Sequence, residues 1–133
     1  MILPIAADME ITATRAATSV AESMSMSPDK IDEVRMAVVE ACINAFEHSK
    51  AADGKVHLTF AVLGDEEPRT LQITVRDSGL GFDPTKVETP TLERKLHDRR
   101  KRGWGLKIIE GLMDEVTIRS GGDGTTVVMS KAI

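Results

Sequence analysis

Aromatic residues are nearly missing from this chain of 133 residues: three Phe, one Trp (Trp104) and no Tyr. Platforms for single-stranded nucleic acid stack bases on aromatic rings, so the scarcity argues against that class. The single cysteine, Cys42, excludes an intrachain disulfide framework and a cysteine-based zinc cluster. Three isolated His residues offer no metal-ligand spacing. No apolar run approaches the ~20 residues that span a bilayer. The start, Met1-Ile-Leu-Pro-Ile5, has no basic stretch of the signal-peptide kind. A soluble cytoplasmic protein without a membrane partner is therefore expected. Repeats, low-complexity tracts and linkers are absent too, which leaves one domain over residues 1–133. A domain of this size buries well over half of its unfolded surface and needs no staple.

What is present is unevenly charged. The formal net charge is −4. Residues 94–102 (Arg-Lys-Leu-His-Asp-Arg-Arg-Lys-Arg) hold six bases and one acid, so they carry +5 and the remaining residues −9. A local basic segment in an acidic chain fits either an anion clamp or a solvated loop. The acidic remainder argues against direct nucleic-acid binding.

Apolar spacing predicts a first helix over residues 8–24, on Met9, Ala13, Ala16 and Val20. Ser27-Pro28 is a helix start, because Ser caps and Pro suits the first turn. A second helix then runs to about Ser49 on Ile31, Val34, Val38, Ala41, Ala45 and Phe46. Val56, Leu58, Phe60 and Val62 alternate with Lys55, His57, Thr59 and Ala61 as a half-buried strand. Leu71, Ile73 and Val75 form another, and Asp77 continues their inward parity, so a carboxylate follows apolar residues onto the covered face. Residues 78–103 are rich in Gly, Pro and charge, and a third helix follows Gly105. Val116–Ile118 and Val127–Met129 close the chain as a hairpin. The order α, α, β, β, loop, α, β, β predicts an α+β fold with helices on one face of a sheet.

Four clusters carry chemistry. Glu40, Asn44 and His48 stand at i, i+4 and i+8 of the second helix, one slightly drifting polar stripe. A carboxylate there can take a proton from a nucleophile, and an amide oxygen is a hard ligand for Mg²⁺. The same stripe also suits a wet helix face. Asp77-Ser-Gly79-Leu-Gly81 ends a strand: the Asp can accept from an exocyclic amine, and the glycines permit close backbone approach. Arg102-Gly103-Trp104-Gly105-Leu106 leads into a helix, where backbone N–H groups can face phosphate. It is not the G-x-x-x-x-G-K-[ST] phosphate loop, and Ile108 replaces the third glycine of G-x-G-x-x-G. Thr125, in Gly124-Thr-Thr-Val127, is either a hydroxyl near a ligand or an ordinary strand residue.

Singly these are modest signals; in this order the chain resembles the ATP-binding fold shared by gyrase, Hsp90, histidine kinases and MutL (GHKL). E-A-x-x-N-A-x-x-H from Glu40 to His48, V-R-D-S-G-L-G-F from Val75 to Phe82 and G-W-G-L-K-I-I-E-G-L-M-D-E-V from Gly103 to Val116 look most like bacterial anti-sigma-factor serine kinases of partner-switching modules (RsbW-type). The likeness runs from about Pro4 to Lys131. It implies a two-layer α/β sandwich of the Bergerat type, with helices on one face of a mixed, mostly antiparallel sheet, and a lid over about residues 83–103. It implies ATP and Mg²⁺ as cofactors, and as partners a STAS-domain antagonist, a sigma factor and a second copy in a homodimer. In that pattern Glu40 is the base for a substrate serine, Asn44 binds Mg²⁺, Asp77 holds the adenine amine, and Thr125 lies near adenine. Gly79, Gly81, Gly103 and Gly105 shape the phosphate and lid region, Lys101 or Arg102 faces the phosphates, and Arg15 stands where relatives contact protein. The alternative is a nucleotide-gated binding module with little transfer. Phosphorylation of His instead of Ser is disfavoured, since the chain has no dimerisation helix pair bearing a substrate His and His48 lies inside the helix. Two departures from the pattern are the short, weakly strand-like N-terminal segment and the strongly basic stretch before Gly103.

Overall fold

Pro28 opens the longest element among the described residues, and the side chain of Ser27 caps it. Its hydroxyl oxygen accepts from the Lys30 backbone N–H at 3.3 Å, and its carbonyl accepts from Ile31 N–H at 3.0 Å. The computed structural model describes residues 1–6, 8–48, 54–65, 69–77, 107–121 and 124–133. Among these, the order is β1 (Ile2–Pro4), α1 (Met9–Ser23), α2 (Pro28–His48), β2 (Lys55–Leu63), β3 (Thr70–Asp77), a helical segment over residues 107–112, β4 (Glu115–Gly121) and β5 (Gly124–Ala132). The predicted lid and basic segment lie outside the described residues.

The five strands form one sheet in the order β1-β2-β3-β5-β4. All four pairings are antiparallel, so no parallel pair of a mixed sheet occurs among the described residues. β1 corrects the weak N-terminal reading. Ile2, Leu3 and Pro4 pair with His57, Val56 and Lys55, and Leu3 is buried. Three residues show no period, so this strand exists through pairing and not through pattern.

The helices cover one face. α1 contacts β1 and β2, and α2 contacts β3 and β5. Ala13, Ala17 and Ala21, one turn apart, are wholly buried and let α1 lie close to its neighbours. This row replaces the expected stripe through Ala16, while Met9 and Val20 pack at its margin. α1 ends as Ser25 takes φ 60°: Ser25 and Met26 N–H then reach the Glu22 and Ala21 carbonyls, a Schellman closure that sends the chain back into α2. From α2, Val34, Ala37, Val38, Ala41 and Cys42 meet Leu71, Ile73 and Val75 of β3 and Val127 and Met129 of β5 in one core. Ile109 and Met113 join it from the third helical stretch. The alternation in β2 holds at Val56 and Leu58 but fails at Val62, which is 45% exposed, where the strand leaves the cover of the helices.

Cys42 lies among these apolar groups. Burial, with a smaller push from the Glu10 charge, raises its thiol from 9.0 to about 12. At pH 8 three units mean about a thousandfold less thiolate than in the unfolded chain. A thiol reagent at pH 8 is therefore expected to label Cys42 only as fast as the fold opens, and urea should restore ordinary reactivity. The linkage has a definite sign. The unfolded thiol loses its proton near 9 and the folded one near 12, so this group's stabilisation is complete below pH 9 and is lost as pH rises toward 12. Denaturant midpoints of wild type should fall more steeply over that window than those of Cys42→Ala.

Candidate functional site

Two strand-borne residues of the site are brought together by register. Leu3, Val56, Asp77, Thr125 and Ser120 form one row across the sheet, each opposite the next. Opposed residues of an antiparallel pair share a face. Leu3 and Val56 face the helices and are buried, so Asp77 and Thr125 face them too. Asp77 is only 6% exposed, which bears out the reading of its parity. Thr125 Oγ1 lies 3.0 Å from Ser120 Oγ, so its hydroxyl is oriented by a neighbour that the sequence reading missed. A buried carboxylate at the end of β3 has a half-buried hydroxyl opposite it. That chemistry suits the amine edge of a heterocycle.

Glu40 and Asn44 come from α2, the helix that packs on the two strands bearing Asp77 and Thr125. Both side chains are half-buried. At about 100° per residue, Glu40 lies farther from the buried Val34–Val38–Ala41 line than Asn44 does. The stripe therefore drifts from the outer flank toward the core as it runs from 40 to 44. Asn44 is turned toward the sheet side, Glu40 toward the outside. Ala37 and Ala41, both buried, keep the flank beside them shallow.

On the outside, Glu40 lines a groove of about 490 Å³ with Thr14, Arg35, Met36, Val39 and Ile108. A second groove of about 550 Å³ continues it over Ile11, Arg15, Thr18 and Ser19, sharing Thr14, Arg35 and Val39. Neither groove is lined by Asn44, Asp77 or Thr125. The floor includes Ile11 and Met36, 47% and 55% exposed, apolar surface that α1 and α2 do not spend on the core. Arg15 stands exposed along it. Among the described residues, Arg35 pairs with Asp32 at 3.4 Å, facing solvent. Of these lining residues the sequence reading had singled out Glu40 and Arg15 alone. Met36 and Val39 lie on the side of α2 opposite its core stripe, but nothing in the sequence signalled that α1 and Ile108 would close a groove with them.

Gly79, Gly81, Lys101, Arg102, Gly103 and Gly105 lie outside the described residues, as does the side chain of His48. No group of three or more His, Cys, Asp or Glu side chains able to hold a metal occurs among the described residues.

Comparison with known proteins places these features in a family context. Residues 5–131 match the model of the histidine kinase-like ATPase domain. The chain is 33% identical over 114 residues to the anti-sigma F factor of Clostridium acetobutylicum, covering 85% of this chain and 78% of that protein. It is 35% identical over 121 residues to the serine-protein kinase RsbW of Bacillus licheniformis, covering 86% of this chain and 72% of the relative. Among solved structures, the RsbU and RsbW domains of Rv1364c from Mycobacterium tuberculosis superpose with a TM-score of 0.69 at 21% identity, over 98% of this chain and 30% of that one. A histidine kinase domain from Erythrobacter litoralis shares the fold at a TM-score of 0.52 and 15% identity, over 97% of this chain and 61% of that one.

Proposed function

The chain belongs to the histidine kinase-like ATPase family, and from that premise we propose that it is an ATP-dependent protein serine kinase and anti-sigma factor. It phosphorylates a serine on a STAS-type antagonist and sequesters a sigma factor, with phosphorylation deciding which partner it keeps. The observation that carries this reading is the division of the two acids. Asp77 is buried on the covered face of the sheet, whereas Glu40 is half-buried and opens onto an outer groove. A nucleotide base needs the first environment, and a hydroxyl presented by another protein needs the second.

In this reading Asp77 accepts from the adenine amine, with Thr125 beside it. Asn44, one turn beyond Glu40, presents a hard amide oxygen to Mg²⁺. Mg²⁺ accompanying the polyphosphate would be held by this oxygen and would supply charge neutralisation there. The donor set fits that arrangement. Gly79, Gly81, Gly103 and Gly105, with Lys101 and Arg102, complete the phosphate and lid contacts. Glu40 takes the proton as the serine Oγ bonds to the γ-phosphorus and the bond to the β-phosphate oxygen breaks, leaving ADP and phosphoserine. The groove between α1 and α2 receives the partner. The protein works in the cytoplasm as a homodimer, with the exposed β1 edge at Met1 and Ile2 as the contact. No described helix is long and apolar enough to cross a membrane.

The test is to assemble the chain with the sigma factor encoded near it and Mg-ATP, then add the STAS-domain protein. The sigma factor should leave when unphosphorylated antagonist is added and stay when the antagonist carries phosphoserine. A sigma factor that stays bound in both cases contradicts partner switching. Arg15→Ala should weaken antagonist binding about tenfold, the loss of one Arg anchor, while calorimetric ATP affinity holds. Equal partner affinity in wild type and variant would remove Arg15 from the docking surface.

A further inference from the structure

Among the described residues, Lys131 joins Asp77 as a buried charged side chain that the sheet turns toward the helices. Along β5, Val127 and Met129 are buried at alternate positions, and Lys131 takes the next one at 6% exposure. An ammonium held this deep needs partners, because burying it alone is costly. It has two. Nζ donates to the Leu112 carbonyl at 2.5 Å and lies 2.5 Å from Glu33 Oε2. Leu112 ends the helical segment 107–112, and Glu33 belongs to α2. The surrounding bonds fasten the same corner. Asp114 Oδ2 accepts from Ala132 N–H at 2.7 Å, and Lys30 Nζ donates to the Ala132 carbonyl at 3.2 Å.

This corner bears on Glu40. Glu33 precedes Glu40 by seven residues, about two turns and about 10 Å along the same side of α2. Ile108, one turn before Leu112, lines the groove with Met36, Val39 and Glu40. The segment 107–112 therefore lies beside α2, with Leu112 tied to Glu33 through Lys131 and Ile108 on the groove that runs from Asp32 to Glu40. Lys131 bolts the first of these contacts, and the width of the groove at Glu40 depends on where the second falls. We propose that Lys131 is a positioning residue. Through Glu33 and the Leu112 carbonyl it sets the placement of α2 against segment 107–112, and so the aim of the Glu40 carboxylate at the acceptor hydroxyl. It touches no substrate. The inference rests on Glu40 as the base and adds the device that holds it in line, where a displacement of about 1 Å can cost about a hundredfold in rate.

The experiment measures phosphate transfer from Mg-ATP to the STAS partner by the full chain, as wild type, Lys131→Met, Lys131→Arg and Glu33→Gln. Lys131→Met and Glu33→Gln should each lower kcat about tenfold or more, with KM for ATP and for the partner within about twofold. Lys131→Arg keeps the charge and the donors and should recover most of the rate. The double variant should be no slower than Lys131→Met, because both act through one tie. A purely structural role would lower thermal stability and leave kcat per folded molecule unchanged. Should Lys131→Met fail to fold, Glu33→Gln decides, since Glu33 is 41% exposed and its amide is nearly isosteric. Wild-type kcat in Glu33→Gln, or in a folded Lys131→Met, overturns the proposal while leaving the kinase reading intact. A wild-type protein that transfers nothing to serine overturns the kinase reading, and this inference with it.

Discussion

Glu40→Gln is expected to bind Mg-ATP with an affinity within about twofold of wild type and to transfer phosphate about 10²- to 10⁴-fold more slowly, the range for removing a general base. The substitution changes one oxygen to NH₂ at a half-buried position on the groove side of α2. It alters little of the packing, because the core contacts of α2 run through Val34, Ala37, Val38, Ala41 and Cys42. The rate loss therefore reads proton transfer and not stability, which thermal melts confirm separately. Quench-flow at saturating ATP and partner gives kcat, and calorimetry gives nucleotide affinity. Wild-type transfer in the variant would take Glu40 out of the mechanism. Loss of ATP binding would instead move it to the nucleotide contacts.

Asp77→Asn should do the opposite, weakening ATP binding about 10- to 100-fold. Hydrogen bonds to a charged partner contribute about 1.5–3 kcal/mol, and a factor of ten is about 1.4 kcal/mol. The amide retains an oxygen but loses the charge and turns a donor toward an amine that also donates. Asp77 is 6% exposed in a row with Val56 and Thr125, so the near-isosteric Asn fits without opening a cavity. With saturating nucleotide, transfer should return to near the wild-type rate, since Asp77 makes no contact with the transferred group. Unchanged ATP affinity by calorimetry would refute the adenine assignment. Taken together, the two variants separate binding from chemistry in one site.

The parts of this molecule that carry a period could be read from its residues. α2 announces itself through Ser27-Pro28 and an apolar stripe, and β3 through strict alternation from Leu71 to Asp77. The buried state of Asp77 followed from parity alone. Lys131 obeys the same rule after Val127 and Met129 but was not recognised, because a Lys two residues from the last position of the sequence looks like an ordinary solvated end. Pattern reasoning failed where long-range pairing or cover decides the outcome. β1 is three residues with a Pro, held by pairing with β2 and by the cover of α1, and Val62 keeps the period of a buried residue but is 45% exposed. The register that sets Thr125 opposite Asp77 is likewise invisible locally, since 47 intervening residues separate the two positions. In the candidate site, Glu40, Asn44, Asp77 and Thr125 are the residues that spacing and resemblance single out. The groove of Met36, Val39 and Ile108 was not legible, because an exposed apolar residue on a helix looks like any other until a neighbour turns it into a lined surface.

The most direct test is single-turnover transfer from γ-labelled Mg-ATP to the STAS-domain protein encoded beside this chain, with the labelled residue identified by mass spectrometry. The account predicts label on one partner serine at a rate that falls at least about a hundredfold in Glu40→Gln. Tight ATP binding by a folded wild type with no label on the partner would contradict it, and would make the protein a nucleotide-gated binding module instead.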